Sequence, residues 1–279
     1  MVHDYRKLNE KTINPSYPMP IMQDVIDDIM REGSAFFTVL DVKAAFLTIR
    51  VKAEGIHKTA LVTPDGKYEY LRMAFGFCKA PQTMQRVMRR TFDGLSRTST
   101  YMDDVGQGAV TVTEALDLLE EALKRIIVNG LRMDLRKWQF VQDKVQFRGY
   151  VITAEGRTLD ETRVGAIDKF EPHRNEKRLY SFLQFADHYR KFVPQFSKLT
   201  HPLRQILAKD AEFVWTGEYQ QIVDAVKTAL KSPPTLASFR PECPTYVHVN
   251  ASQTGLGALL SQTQDGKERI IEYASRSLN

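Results

Sequence analysis

The sequence predicts a mixed helix-and-strand chain in three parts, on three observations. Helical and strand periodicities alternate up to about residue 155, a wholly helical stretch runs from Glu161 to Lys209, and β alternation returns from Thr245 to Tyr273. Boundaries therefore fall near 155 and near 235. With 279 residues the chain has room for roughly two domains. Its 43% hydrophobic and 26% charged residues are ordinary globular values, which exclude a disordered or collagen-like polymer.

The elements follow in order. Residues 13–20 (INPSYPMP) carry three prolines and predict an extended, irregular connection. Apolar residues at 21, 25, 26, 29 and 30 predict a helix that Gly33 ends. Residues 36–51 are strand-like with a break around Ala44–Ala45. Residues 58–63 and 67–72 alternate about Pro64-Asp65-Gly66, a hairpin signal. Pro81 suits the first turn of a helix running to about Phe92, and 98–112 read as a second hairpin with Tyr101-Met102-Asp103-Asp104 near its tip. The next helix takes Thr113 as its cap, Leu116, Leu119, Leu123, Ile126 and Ile127 as its buried stripe, and Gly130 as its stop. Residues 145–153 read as one strand before a Gly156 turn. A helix over about 217–231 ends before Pro233-Pro234, and the last β region has a Gly-rich middle. Within the basic helical stretch, Tyr180, Phe182, Phe185, Tyr189 and Phe192 read as core.

Charge is distributed unevenly. The formal excess is +5, and the segment from His173 to Asp210 holds eight basic and three acidic residues, which equals that whole excess. Such a stretch is most often a solvated helical face, and it also suits a polyanion such as nucleic acid. Cys78 and Cys243 fit a reducing, intracellular compartment better than a disulfide framework. No run of 18 apolar residues suggests a membrane span, and the first ten residues do not read as a signal or transit peptide. The six histidines show no metal-ligand spacing.

Two places put aspartate where strand stability would not choose it. Asp41 lies in the apolar run FFTVLDVKAAF, and Asp103 and Asp104 are adjacent within TYMDDV. Neighbouring carboxylates repel, and a hard divalent cation relieves that repulsion. Three such groups from two converging strands could hold two ions about 4 Å apart for phosphoryl chemistry. Asp-Asp is also common turn chemistry, and Asp41 could cap the turn that follows it. Spacing alone leaves both readings open.

The segments DYRKLN (4–9), FFTVLDVKAAFLTIRV (36–51), KTALVTPDGKYEYLRMAFGFCKAPQTMQ (58–85), YMDDV (101–105) and FRGYVIT (147–153) occur in an order that resembles the reverse transcriptases of gypsy-class LTR retrotransposons. The resemblance continues through LYSFLQFADHYRKFVPQFSKLTHPLRQIL to VHVNASQTGLGALLSQ and YASRSLN, and so covers essentially the whole chain. It implies an α+β fold: a right-hand polymerase palm with partial fingers (1–155), a helical thumb (156–212), a connection (213–235) and a truncated ribonuclease-H-like α/β segment (236–279). It implies RNA-directed DNA synthesis from dNTPs on an RNA or DNA template with primer, with two Mg²⁺ (or Mn²⁺) ions at Asp41, Asp103 and Asp104. Phe46, which on its residues alone reads as core, matches the aromatic that excludes a ribose 2′-hydroxyl. Phe75 matches a residue beside the incoming nucleotide, and Gln85 lies on the helix behind it. Phe147, Arg148, Gly149 and Tyr150 match the hairpin that grips the primer end. Arg174, Lys177 and Arg178 fall in the thumb that holds the duplex by its phosphates. The resemblance places the chain inside the cell, in a cytoplasmic particle or the nucleus, with no membrane partner, and leaves oligomeric state open.

Four departures stand against the family pattern. Upstream fingers strands are not in the chain, which would weaken charge neutralisation on the nucleotide phosphates. Ala74 and Lys79 replace a usual Pro and Asn, and Arg148 replaces an apolar residue. In the ribonuclease-H-like segment, Asn250 stands where the family has aspartate, and an amide is no anionic metal ligand. The expectation is therefore a polymerase without ribonuclease H activity, with a decayed, binding-only fragment as the alternative.

Overall fold

The computed structural model describes residues 3–13, 17–31, 33–208, 211–253 and 255–278. Asn14, Pro15 and Ser16 of the proline-rich connection, and Lys209 and Asp210 of the basic stretch, lie outside the described residues. The chain forms two compact units, Met1–Val145 and Gln146–Asn279.

In the first unit, α1 (Arg6–Lys11) and α2 (Met22–Ile29) precede the strand β1 (Phe36–Asp41). A one-turn helix α3 (Ala53–Ile56) leads to the short hairpin β2 (Leu61–Thr63) and β3 (Gly66–Tyr68). Next come α4 (Ala80–Thr91), the hairpin β4 (Thr98–Tyr101) and β5 (Asp104–Ala109), α5 (Val112–Val128) and β6 (Gln139–Gln142). Four strands make one antiparallel sheet in the order β4-β5-β1-β6, so β1 and β5 are central. Met84 and Met88 of α4 and Ala122 and Ile126 of α5 share one core with Leu40, Val42 and Val105 of the sheet. That core fixes the sheet end on which the carboxylates stand.

The predicted α5 is displaced in its details. Thr111, not Thr113, caps it, its side chain accepting from the Glu114 N–H at 3.2 Å. The buried stripe is Ala115, Leu118, Ala122 and Ile126, while Leu116 and Ile127 face solvent. Alanines make the contact because the helix lies close to the sheet, and a reading that weights large apolar residues rotates the helix the wrong way.

The second unit opens with a sheet ordered β7-β8-β9, built from β7 (Lys144–Phe147), β8 (Tyr150–Thr153) and β9 (Gly156–Leu159). The single strand expected over 145–153 is instead two strands. Arg148 and Gly149 both have positive φ (52° and 92°) and turn the chain back, as two-residue hairpins require. Helices α6 (Glu161–Gly165), α7 (Glu176–His188), α8 (Phe196–Gln205) and α9 (Gly217–Lys231) follow. Leu179, Phe182, Phe196, Val223 and Leu230 lie in their common core. Phe182, Tyr189 and Phe192 are buried as expected, but Tyr180 is exposed because it sits on the outer face of α7. The chain ends in an antiparallel sheet ordered β10-β11-β12, from β10 (Thr245–Ala251), β11 (Gly255–Gln264) and β12 (Lys267–Ser277). Every residue of β10 is exposed.

Candidate active site

β1 and β5 run antiparallel in a register that ends by pairing Asp41 with Asp104. One residue further, the Val42 N–H donates to the Asp103 carbonyl at 3.0 Å, so all three aspartates gather at one end of the two central strands. Central strands explain how a poor strand former is tolerated at Asp41: its backbone is engaged on both sides, with its carbonyl accepting from the Asp134 N–H at 3.1 Å. The three carboxylates are partly buried. Among the described residues, no three His, Cys, Asp or Glu side chains are already gathered as a ligand set.

The turn between β4 and β5 consists of Met102 and Asp103, and Met102 has φ +52°, an uncommon value for a non-glycine residue. Gln85 of α4 holds that turn from below. Its Oε1 accepts from the Met102 N–H at 2.6 Å and its Nε2 donates to the Thr100 carbonyl at 2.9 Å. The side chain is buried at 4% exposure, and both ends of its amide are used on the hairpin.

Lys137 belongs to the site although nothing in the sequence marks it. Its ammonium lies 3.3 and 3.2 Å from the two carboxylate oxygens of Asp41, and the Asp41 hydrogen bond and charge raise its pKa above the ordinary lysine value. Lys137 lies on a 3-10 turn, Leu135–Lys137, that the Asp134 N–H ties to Asp41. The two residues are separated by 96 positions, and no local periodicity signals the pairing.

Phe46 sits on a 3-10 turn (Ala45–Thr48) that leaves β1 through Ala44, whose φ is +49°. Its ring meets that of Phe75 edge-on, with centroids 5.6 Å apart. Phe46 is partly buried, and Phe75 is 42% exposed. Ala74 is buried beside it, and Lys79 stands at the N-cap of α4 with no side-chain cap bond.

The remaining candidates lie in the second unit. Phe147 is 1% exposed, and Tyr150 stacks near Phe192, with burial raising its phenol pKa. Phe147 is therefore a core residue, Tyr150 packs partly buried against the core of the second unit, and Arg148 and Gly149 form the tip of the hairpin. On the thumb segment, Lys177 and Arg178 are exposed on α7, while Arg174 forms an ion pair with Glu171 at 2.9 Å. Asn250 pairs with Gly257 of β11 and lines a small cleft with Gln195, Lys198, Ser252 and Ser275.

Residues 1–152 match the family described as reverse transcriptase (RNA-dependent DNA polymerase), and residues 215–279 match the RNase H-like domain found in reverse transcriptase. The Tf2-3 transposon polyprotein of Schizosaccharomyces pombe is 34% identical over 269 residues, which is 95% of this chain and 20% of that polyprotein. Tf2-7 of the same organism is 33% identical over 268 residues, with the same coverage. The chain thus spans about a fifth of the curated relatives it matches. Among solved structures, the foamy viral protease-reverse transcriptase dRH in complex with double-stranded DNA superposes with a TM-score of 0.90 at 25% identity, over 100% of this chain and 49% of that one. The foamy viral protease-reverse transcriptase in complex with RNA/DNA hybrid shares the fold at a TM-score of 0.84 and 24% identity, over 99% and 37%. With its aspartates paired across the central strands and a family match over more than half its length, the chain belongs to the reverse transcriptase (RNA-dependent DNA polymerase) family.

Proposed function

We propose that this chain is the polymerase portion of a retrotransposon polyprotein, adding deoxynucleotides to a primer 3′-hydroxyl on an RNA or DNA template. The observation that carries the reading is the gathering of Asp41, Asp103 and Asp104 at one end of β1 and the β4–β5 hairpin. Their donors are hard carboxylate oxygens, the kind that Mg²⁺ takes, and the Lys137 ammonium at Asp41 is a cation already drawn to the site. Two bound divalent ions would lower the pKa of the attacking hydroxyl and neutralise charge on the departing pyrophosphate.

The chain's own residues do the rest. Asp41 and Asp104 would hold the ions, with Asp103 completing the set from the turn. Gln85 fixes the backbone of the turn from which Asp103 and Asp104 project. Phe46, presented by its 3-10 turn, limits the space at the sugar, and Phe75 closes the side of the same pocket. In the second unit, the hairpin tip at Arg148–Gly149 would grip the primer strand, while Lys177 and Arg178 would neutralise duplex phosphates. Asn250 supplies no anionic ligand, so hybrid cleavage lies outside this chemistry.

The test is primer extension on poly(rA)·oligo(dT) with Mg²⁺, run beside hybrid binding. We expect extension by the native chain and its loss by roughly a thousandfold in Asp103→Asn, with hybrid binding retained. Tight binding without extension, in native chain and variant alike, would instead identify a nucleic-acid-binding module.

A further inference from the structure

The DYRKLN segment has a physical task that the polymerase reading does not use. Its side chains converge on the loop that carries Phe75. Asn9 lies in α1 and spends its whole amide there: Nδ2 donates to the Gly76 carbonyl at 2.9 Å, and Oδ1 accepts from the Cys78 N–H at 3.0 Å. Tyr5 is buried, packs on Phe77 with ring centroids 4.5 Å apart, and donates its hydroxyl to the Thr59 carbonyl at 3.3 Å. Gly76 takes φ +98°, and a Cβ there would come within 3.1 Å of the His3 carbonyl oxygen, so the loop runs directly against this segment.

The near side of the loop is anchored separately. The Met73 N–H donates to the Ile49 carbonyl at 2.9 Å, and the Arg72 guanidinium to the Thr48 carbonyl at 2.6 Å, on the turn that presents Phe46. Between these anchors, residues 74–78 belong to no helix or strand. Phe75 is 42% exposed and its ring touches Phe46 edge-on, so where the loop backbone is held decides whether that contact is made.

We propose that Asn9 is a positioning residue for nucleotide selection, its amide clamping the Phe75–Cys78 loop so that Phe75 is held edge-on to Phe46. This rests on the polymerase reading, in which those two rings wall the nucleotide pocket. Asn suits the task because one planar amide offers a donor and an acceptor to backbone groups two residues apart. Leucine has nearly the same size and offers neither.

The test compares the native chain with Asn9→Leu, Asn9→Asp, Phe75→Ala and the double variant Asn9→Leu/Phe75→Ala. Without the two hydrogen bonds, KM for dNTP should rise roughly tenfold, with kcat and primer–template Kd within about twofold. Discrimination against ribonucleotides should fall with it. Asn9→Asp keeps the acceptor for Cys78 and should lie between. The double variant should be no worse than Phe75→Ala, since the clamp acts only through that ring. A second readout needs no turnover: a nitroxide on exposed Cys78, in a Cys243→Ser background, should become more mobile in Asn9→Leu. An unchanged KM with an unchanged nitroxide spectrum overturns the proposal, as does an additive double variant. A native chain that fails to extend primers sinks the polymerase reading instead, and the nitroxide still reports whether the clamp exists.

Discussion

At the scale of single residues, the side chain with most leverage is Gln85. It is buried beneath a turn whose Met102 has positive φ, and it satisfies a donor and an acceptor of that turn at once. Replacing it by leucine takes the partner from both backbone groups, at a cost of about 1–3 kcal/mol. The strained turn is then free to relax. We expect Gln85→Leu to lower Tm and to slow single-turnover extension at saturating dNTP by at least roughly tenfold. A Tm loss with unchanged turnover would reduce Gln85 to a purely structural role. The sequence puts Gln85 on the correct helix, α4. It does not show that the amide is committed to the hairpin, because helical periodicity identifies a buried face and not the backbone beneath it. Lys137 illustrates the same limit more strongly. Asp41 is legible through its discord with an apolar strand, but its cationic partner lies 96 residues away with no local signature.

At the scale of elements, most helices and hairpins are legible, and errors fall where packing overrides composition. The helix α9 matches its expected span, and the β4–β5 hairpin puts the aspartates at its tip. The cap of α5 is ambiguous in sequence because two threonines compete in TVTE, and only the folded chain shows which hydroxyl reaches an N–H. Thr111 accepts from Glu114, whose carboxylate in turn accepts from the Val110 N–H at 2.7 Å, a reciprocal arrangement close to a capping box. Thr111→Ala should therefore cost about 1 kcal/mol in denaturant unfolding, and Thr113→Ala less than about 0.5. The reverse ranking would restore Thr113 as the cap. The FRGY segment reads as continuous strand because Arg at positive φ is not a sequence signal, although Gly149 beside it is.

At the scale of the whole molecule, the mild positive charge of the chain gains meaning from its segregation. The carboxylates lie in the first unit, and the basic excess lies in helices of the second. Arg174 is already compensated by Glu171, which leaves Lys177 and Arg178 as the cations of that cluster exposed on α7. Neutralising both to glutamine should weaken binding to DNA duplex and RNA–DNA hybrid alike. It should also reduce the slope of log K against log salt by about 2, one for each phosphate that is no longer neutralised. An unchanged slope would return α7 to an ordinary solvated face. The charge asymmetry is legible from composition alone, whereas the division into two units at Val145 and the pairing of β1 with β5 require the fold.

The exposed strand β10 has a consequence for handling the protein. It forms one edge of its sheet, no strand among the described residues covers its outer side, and Val247 and Val249 stand 64% and 78% exposed along it. An uncovered edge with β-branched side chains is the kind of surface from which strand-to-strand aggregation starts. A lysine in place of Val247 is the natural gatekeeper on this seven-residue strand, and in a concentrated solution it should lower light scattering relative to the native chain.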